Sequence, residues 1–317
     1  MHFCRMGFAI YGYFKFFPMK QRKSDILWKV VLEEVFDDLL RFIFPDADQV
    51  YDMERGFEFL EKELAEMYPE PDKEKDSRFA DKLVKVYHLD GEEEWVLLHI
   101  EIQGDTSKRL EFSERMYEYF ARIRARHRKP VSALAIFTGQ HGKNMPDRYT
   151  YEYRKTRLTY EYPTMSVLDF SDEELEKSNN PFAVVVLAAK TSLLEGKIPE
   201  VALLDRKVLI ANKLLKRGIP VEKIRAIFSF LENYVLFEDP EMNRTFKERI
   251  KTHDKNNVMG TIEYVRLEAE EKTREKTSRL FVENLLKESE FSVEKIASLA
   301  NVTVEFVNDV KEDLKAK

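Results

Sequence analysis

The chain has a single cysteine, Cys4, in 317 residues. No intramolecular disulfide can form, so stability must come from a core, and the usage fits a reducing cytoplasm. Glycine (10) and proline (11) are both scarce, which argues against a turn-rich all-β chain. There is no repeat or low-complexity tract. The opening MHFCRMGFAIYGYFKFFPMK is aromatic but interrupted, too short to span a bilayer and without a small-residue cleavage site. Met19 begins MKQRKSDILWK, so residues 1–18 read as a mis-assigned start or a tail, and residues 1–22 as lying outside the folded body. Positive charge is also short. Lys and Arg number 52 against 58 Asp and Glu, for a net charge of −6. Any contact with nucleic acid must then come from a local patch. No GxxxxGK[ST] or GxGxxG loop occurs, and no Ser-His-Asp arrangement is visible, so neither nucleotide binding nor nucleophilic hydrolysis is indicated.

What is present is hydrophobic patterning. Hydrophobic residues make up 44 %, enough for a sizeable core. Residues 25–44 place Trp28, Leu32, Val35, Phe36, Leu39, Leu40 and Ile43 on one arc of a helix that Pro45 stops. FEFLEKELAEMY reads as helical. RFADKLVKVYHL and EWVLLHIEIQG read as two strands of a hairpin with Asp90-Gly91 at its tip. Residues 108–127 repeat apolar positions at helical spacing, and VSALAIFTG follows as a buried strand. That strand can lie parallel to the one before the helix through a right-handed crossover. Extended tyrosine-rich pieces occupy 149–170. After residue 181 only helical patterns follow, including a long charged one over 258–288 and a closing pair, FSVEKIASLANVTVEFVNDVKEDL. The expected division is residues 23–180, mixed α/β, and 181–317, all helical.

The hairpin carries the chemistry. His99, Glu101 and Gln103 share one face of their strand, and Asp81 lies early in the strand before it. Counting from the tip brings Asp81 beside Glu101. Two carboxylates with a backbone carbonyl, that of Ile102, form a hard-oxygen site suited to Mg²⁺ or Mn²⁺. A solvated sheet rim is the plainer alternative for the same pair. His99 reads first as a hydrogen-bonded interior residue. Of the acids on the first helix, Glu33 lies nearest the apolar arc and is the candidate third carboxylate, although such acids are commonly just solvated. Arg122, Arg124, Arg126, Arg128 and Lys129 cluster at a helix end, where both charge–dipole pairing and contact with phosphates fit. Tyr149, Tyr151, Tyr153, Tyr160 and Tyr162 read as sheet packing before base stacking. The closing helix pair is too acidic for major-groove reading and fits self-association better.

The order Asp–hairpin–Glu-x-Gln within helix, strands, helix, strand resembles the PD-(D/E)XK nuclease superfamily. Asp25-Ile-Leu-Trp-Lys29, Phe44-Pro45, Arg78-Phe-Ala-Asp81, His99-Ile-Glu-Ile-Gln103 and Arg115-Met-Tyr-Glu-Tyr-Phe-Ala-Arg122 resemble the recombination-promoting nuclease, transposase-like family. This covers about residues 23–170. The resemblance implies a restriction-endonuclease-like αβββαβ core followed by an all-helical C-terminal region. It also implies a cytoplasmic, Mg²⁺-dependent DNA endonuclease linked to recombination or mobile elements, using Asp81, Glu101, Gln103 and Glu33. Ala80 departs from the superfamily's proline, and Gln103 from its lysine; glutamine orients water by hydrogen bonds but brings no charge. The alternative is an inactive descendant of the fold that binds or scaffolds. The expected partner is DNA, with no membrane and with self-association through the C-terminal helices.

Overall fold

Helix α1 (Gln21–Ile43) buries the arc expected of it, from Trp28 to Leu40. Trp28 meets the rings of Phe230 and Tyr234 edge-on, at centroid distances of 5.0 and 6.0 Å. The computed structural model describes residues 21–60, 62–64, 79–101, 109–253, 278–287, 291–300 and 302–315. The expectations about residues 1–20 and most of the long charged helix lie outside them. The chain divides into two compact units, Met1–Ile250 and Lys251–Lys317.

The first unit is mixed α/β. After the short helix α2 (Ala47–Val50) come β1 (Glu58–Phe59), β2 (Phe79–Tyr87), β3 (Glu93–Glu101), helix α3 (Arg109–His127) and β4 (Val131–Phe137). A single 3₁₀ turn, Gly142–Asn144, leads to β5 (Arg148–Tyr153), β6 (Thr156–Glu161) and β7 (Thr164–Ser166). One sheet runs β1-β2-β3-β4-β7, antiparallel through β3 and parallel from β3 to β7. β5 and β6 form a separate two-stranded sheet. FEFLEKELAEMY therefore does not start as the helix its spacing predicts. Glu58 and Phe59 pair with Lys85 and Val84, because a neighbouring strand offers ladder hydrogen bonds that local propensity does not anticipate.

Both faces of the sheet are covered. Alternation sends Leu83, Trp95, Leu97, Ala133, Ala135 and Phe137 to one face, where Phe112, Met116 and Ile123 of α3 pack on them. The opposite phase meets α1. Beyond β7 the described elements are helices: α4 (Asp172–Lys177), α5 (Phe182–Ser192), α6 (Glu200–Leu215), α7 (Val221–Tyr234) and α8 (Pro240–His253). A capping box of Ser171 and Glu174 starts α4. Nearly all of α5 is buried, as befits a helix apolar all round. In the second unit, the helical residues 278–287 (α9), α10 (Val293–Ala300) and α11 (Val304–Lys315) enclose Val282, Ile296, Ala297, Val307 and Val310.

Candidate active site

The β2–β3 register fixes where the carboxylates stand. Asp81 lies opposite His99, and Phe79 opposite Glu101. The expected pairing of Asp81 with Glu101 is thus two positions off. The connection is wider: Gly91 takes φ +88°, the Asp90 side chain accepts from the Glu92 amide at 3.0 Å, and the His88 amide donates to the Glu92 carbonyl at 2.8 Å. Asp81 is thus a diagonal neighbour of Glu101, in the same alternation phase. For these two residues the description covers the backbone. Ile102 and Gln103 lie outside the described residues. Glu101 pairs in turn with Phe137 at the end of parallel strand β4.

The surroundings of that position are aromatic and cationic. His99 is fully buried. Its Nε2 lies 3.3 Å from Arg115 Nη2, and its ring meets Phe112 edge-on at 5.0 Å. This is the interior histidine the sequence suggests, with a guanidinium brought to it from α3. Arg115 carries no assigned role in the sequence reading. The signal available was its position beside Met116, at the edge of the helix's apolar arc.

Glu33 goes elsewhere. It pairs with Lys82, a fully buried lysine whose Nζ also lies 4.8 Å from the Phe59 ring centroid. Lys82 stands opposite Leu98, in the alternation phase that faces away from α3. The structure therefore joins Glu33 to Lys82 rather than to the His99 phase. Further along α1, Asp37 and Asp38 hold Lys223 of α7 at 2.7–2.8 Å, and Arg41 joins Asp37 at 2.7 Å. Burial and the neighbouring Asp37 charge push the Asp38 carboxyl up, against the Lys223 contact. Burial would also raise Asp37, but Lys223 and Arg41 outweigh it and hold it low. This is a clamp between two helices.

The basic cluster also sits apart from the carboxylates. The C-terminal end of α3 adjoins the start of β3, where the rings of His127 and Trp95 are 4.3 Å apart and Trp95 pairs with Val131. Glu101 is six residues along, roughly 20 Å at ~3.3 Å per residue. Part of the cluster serves the helix end. Arg124 Nη1 donates to the Lys129 carbonyl at 2.7 Å, Arg128 adopts φ +54°, and Lys129 pairs with Glu93 at 2.6 Å. Arg122, Arg126 and Arg128 project from an exposed surface.

Among the described residues, no group of three His, Cys, Asp or Glu side chains stands ready to hold a metal. Among the same residues no helix is long and apolar enough to cross a membrane. No family model, curated protein or solved structure matches this chain.

Proposed function

We propose that this protein hydrolyses DNA phosphodiester bonds with a divalent cation, Mg²⁺ or Mn²⁺, at the C-terminal end of β3. The observation that carries this is the register: Asp81 and Glu101 are diagonal neighbours in one phase, beside the Arg115–His99 contact. The order α1, β1, β2, β3, α3, β4, with β4 parallel to β3, also supports a restriction-endonuclease-like αβββαβ core. The likeness of the sequence motifs to recombination-promoting nucleases points the same way. Side chains at diagonal positions, with Cβ atoms less than ~8 Å apart, can share one cation, and carboxylates are the ligands Mg²⁺ prefers.

In this reading Asp81, Glu101 and the Ile102 carbonyl would hold the cation, whose chemistry would be to acidify water and offset phosphate charge. Gln103 orients the attacking water by hydrogen bonding. Arg115 supplies the fixed positive charge that a glutamine lacks. Glu33 balances Lys82 and takes no direct part. Arg122, Arg126 and Arg128, with Arg124 and Lys129 behind them, hold the DNA backbone away from the scissile bond. The ~20 Å offset corresponds to about six base-pair rises of duplex.

Supercoiled plasmid incubated with Mg²⁺ or Mn²⁺ tests the proposal. The wild type nicks or linearises it, and Asp81→Ala and Glu101→Ala each lower the rate about 100-fold or more. A folded wild type inert in both metals would favour the scaffold reading. Equal cleavage by all three proteins would place the activity elsewhere.

A further inference from the structure

We infer that the β5–β6 hairpin is a contact site for nucleic acid, where Tyr151 and Tyr153 stack on the unpaired bases of single-stranded DNA while Arg154 and Lys155 meet its phosphates. This rests on the proposed action on DNA and adds the form of the substrate.

Pairing puts Tyr149, Tyr151 and Tyr153 on one face with Tyr160, Leu158 and Thr156. The inner part of that aromatic stripe is packed. Tyr149 stacks on Tyr117 of α3 at 5.3 Å, and Tyr160 lies 4.8 Å from Phe120. The outer part runs on into solvent, with Tyr151 45 % and Tyr153 60 % exposed. The reading of these tyrosines as sheet packing therefore fits the inner residues and not the outer two. Alternate strand positions are ~7 Å apart, so each ring can take one base of an extended strand. Bases within a duplex are already stacked and offer no face.

Charge favours the same occupant. Residues 147–161 carry four cations (Arg148, Arg154, Lys155, Arg157) and three acids (Asp147, Glu152, Glu161), a local +1 in a chain of −6. Arg148 pairs with Asp147 and Glu161, and Arg157 pairs with Glu152. Arg154 and Lys155 at the tip carry the surplus. Arg154 moreover sits at φ +55°, a left-handed conformation that favours glycine. A two-residue hairpin loop asks that conformation of its first residue, and it places Arg154 and Lys155 side by side at the tip. The Arg154 Cζ lies 5.5 Å from the Tyr153 ring centroid, where it can share a base or phosphate with that ring.

Fluorescence anisotropy on the full chain in EDTA decides it, with a labelled oligothymidylate and a labelled duplex of equal length. The wild type binds the oligothymidylate more tightly. Tyr151→Ala with Tyr153→Ala weakens that binding about tenfold or more per residue. The corresponding phenylalanine variants retain it, and Arg154→Gly weakens it while circular dichroism stays native. Absence of oligothymidylate binding by the wild type, or unchanged binding by the double alanine variant, overturns the inference. So does a double variant that loses only self-association in sedimentation, which would mark a surface for a second copy. Because no metal is present, tyrosine-dependent binding without plasmid cleavage sinks the nuclease reading alone. Cleavage lost in Asp81→Ala with tyrosine-independent binding sinks the hairpin alone.

Discussion

Lys207 shows how far tertiary packing can redefine a residue. In sequence it is one of 52 cations. In the fold it is completely buried, and its Nζ donates to the Glu232 and Val235 carbonyls at 2.9 and 2.7 Å, closing the end of α7. The rings of Phe237 and Phe246 flank it at 4.8 and 4.7 Å. Burial lowers its pKa to about 8, with nearby Lys247 adding to this and Glu232 opposing it. Between about pH 8 and the ordinary lysine value, the unfolded chain holds a proton that the folded chain releases, so stability rises with pH. Below about pH 8 both states are protonated and the cost of the buried charge is constant. Urea denaturation across this window, wild type against Lys207→Met, checks it. The wild type gains on the order of 3 kcal/mol over the variant as pH rises; parallel profiles would refute it. Single residues of the candidate site were legible to differing degrees. His99 reads correctly as interior from its place in an apolar strand. The Lys82 partner of Glu33 was hidden, because 49 residues separate the two.

At the scale of elements, close approach matters more than pattern. Gly142 in the 3₁₀ turn sits against β4 and β7. A Cβ there would stand 2.5 Å from Ser166 Oγ and 2.9 Å from Phe137 Cβ. Gly142→Ala should therefore cost about 1–3 kcal/mol, read from thermal or urea unfolding; an unchanged midpoint would mean that the turn yields freely. α1, α3, β2, β3 and β4 were all legible, because each carries a long periodic run. β1 was not, since two residues make no period and its strandness is lent by β2. The register of β2 on β3 is one position from that of a two-residue Asp90-Gly91 tip, because Leu89 joins the loop and His88 pairs with Glu92. That one-residue step moves Asp81 from opposite Ile100 to opposite His99 and so into the phase of Glu101, because a one-residue change of register swaps the faces.

For the whole molecule, the second unit has its own core, and Arg279 ties α9 to Asp313 of α11. A chain cut after His253 should keep a cooperative melt with a midpoint within about 5 °C of the full-length protein, by calorimetry. Loss of that transition would show that the first unit depends on the second.

The sequence by itself determined the local matters: the amphipathic helices, the hairpin and the crossover to a parallel strand. These follow from periods of 3.6 and 2 that a few neighbouring residues set. Only the tertiary structure decided the pairing of Glu33 with Lys82, the approach of Arg115 to His99 and the distance of the α3 basic end from Glu101. It alone separated the packed tyrosines from the exposed ones on a single stripe. Those depend on which elements meet, and contacts between residues far apart in the chain leave no period to read.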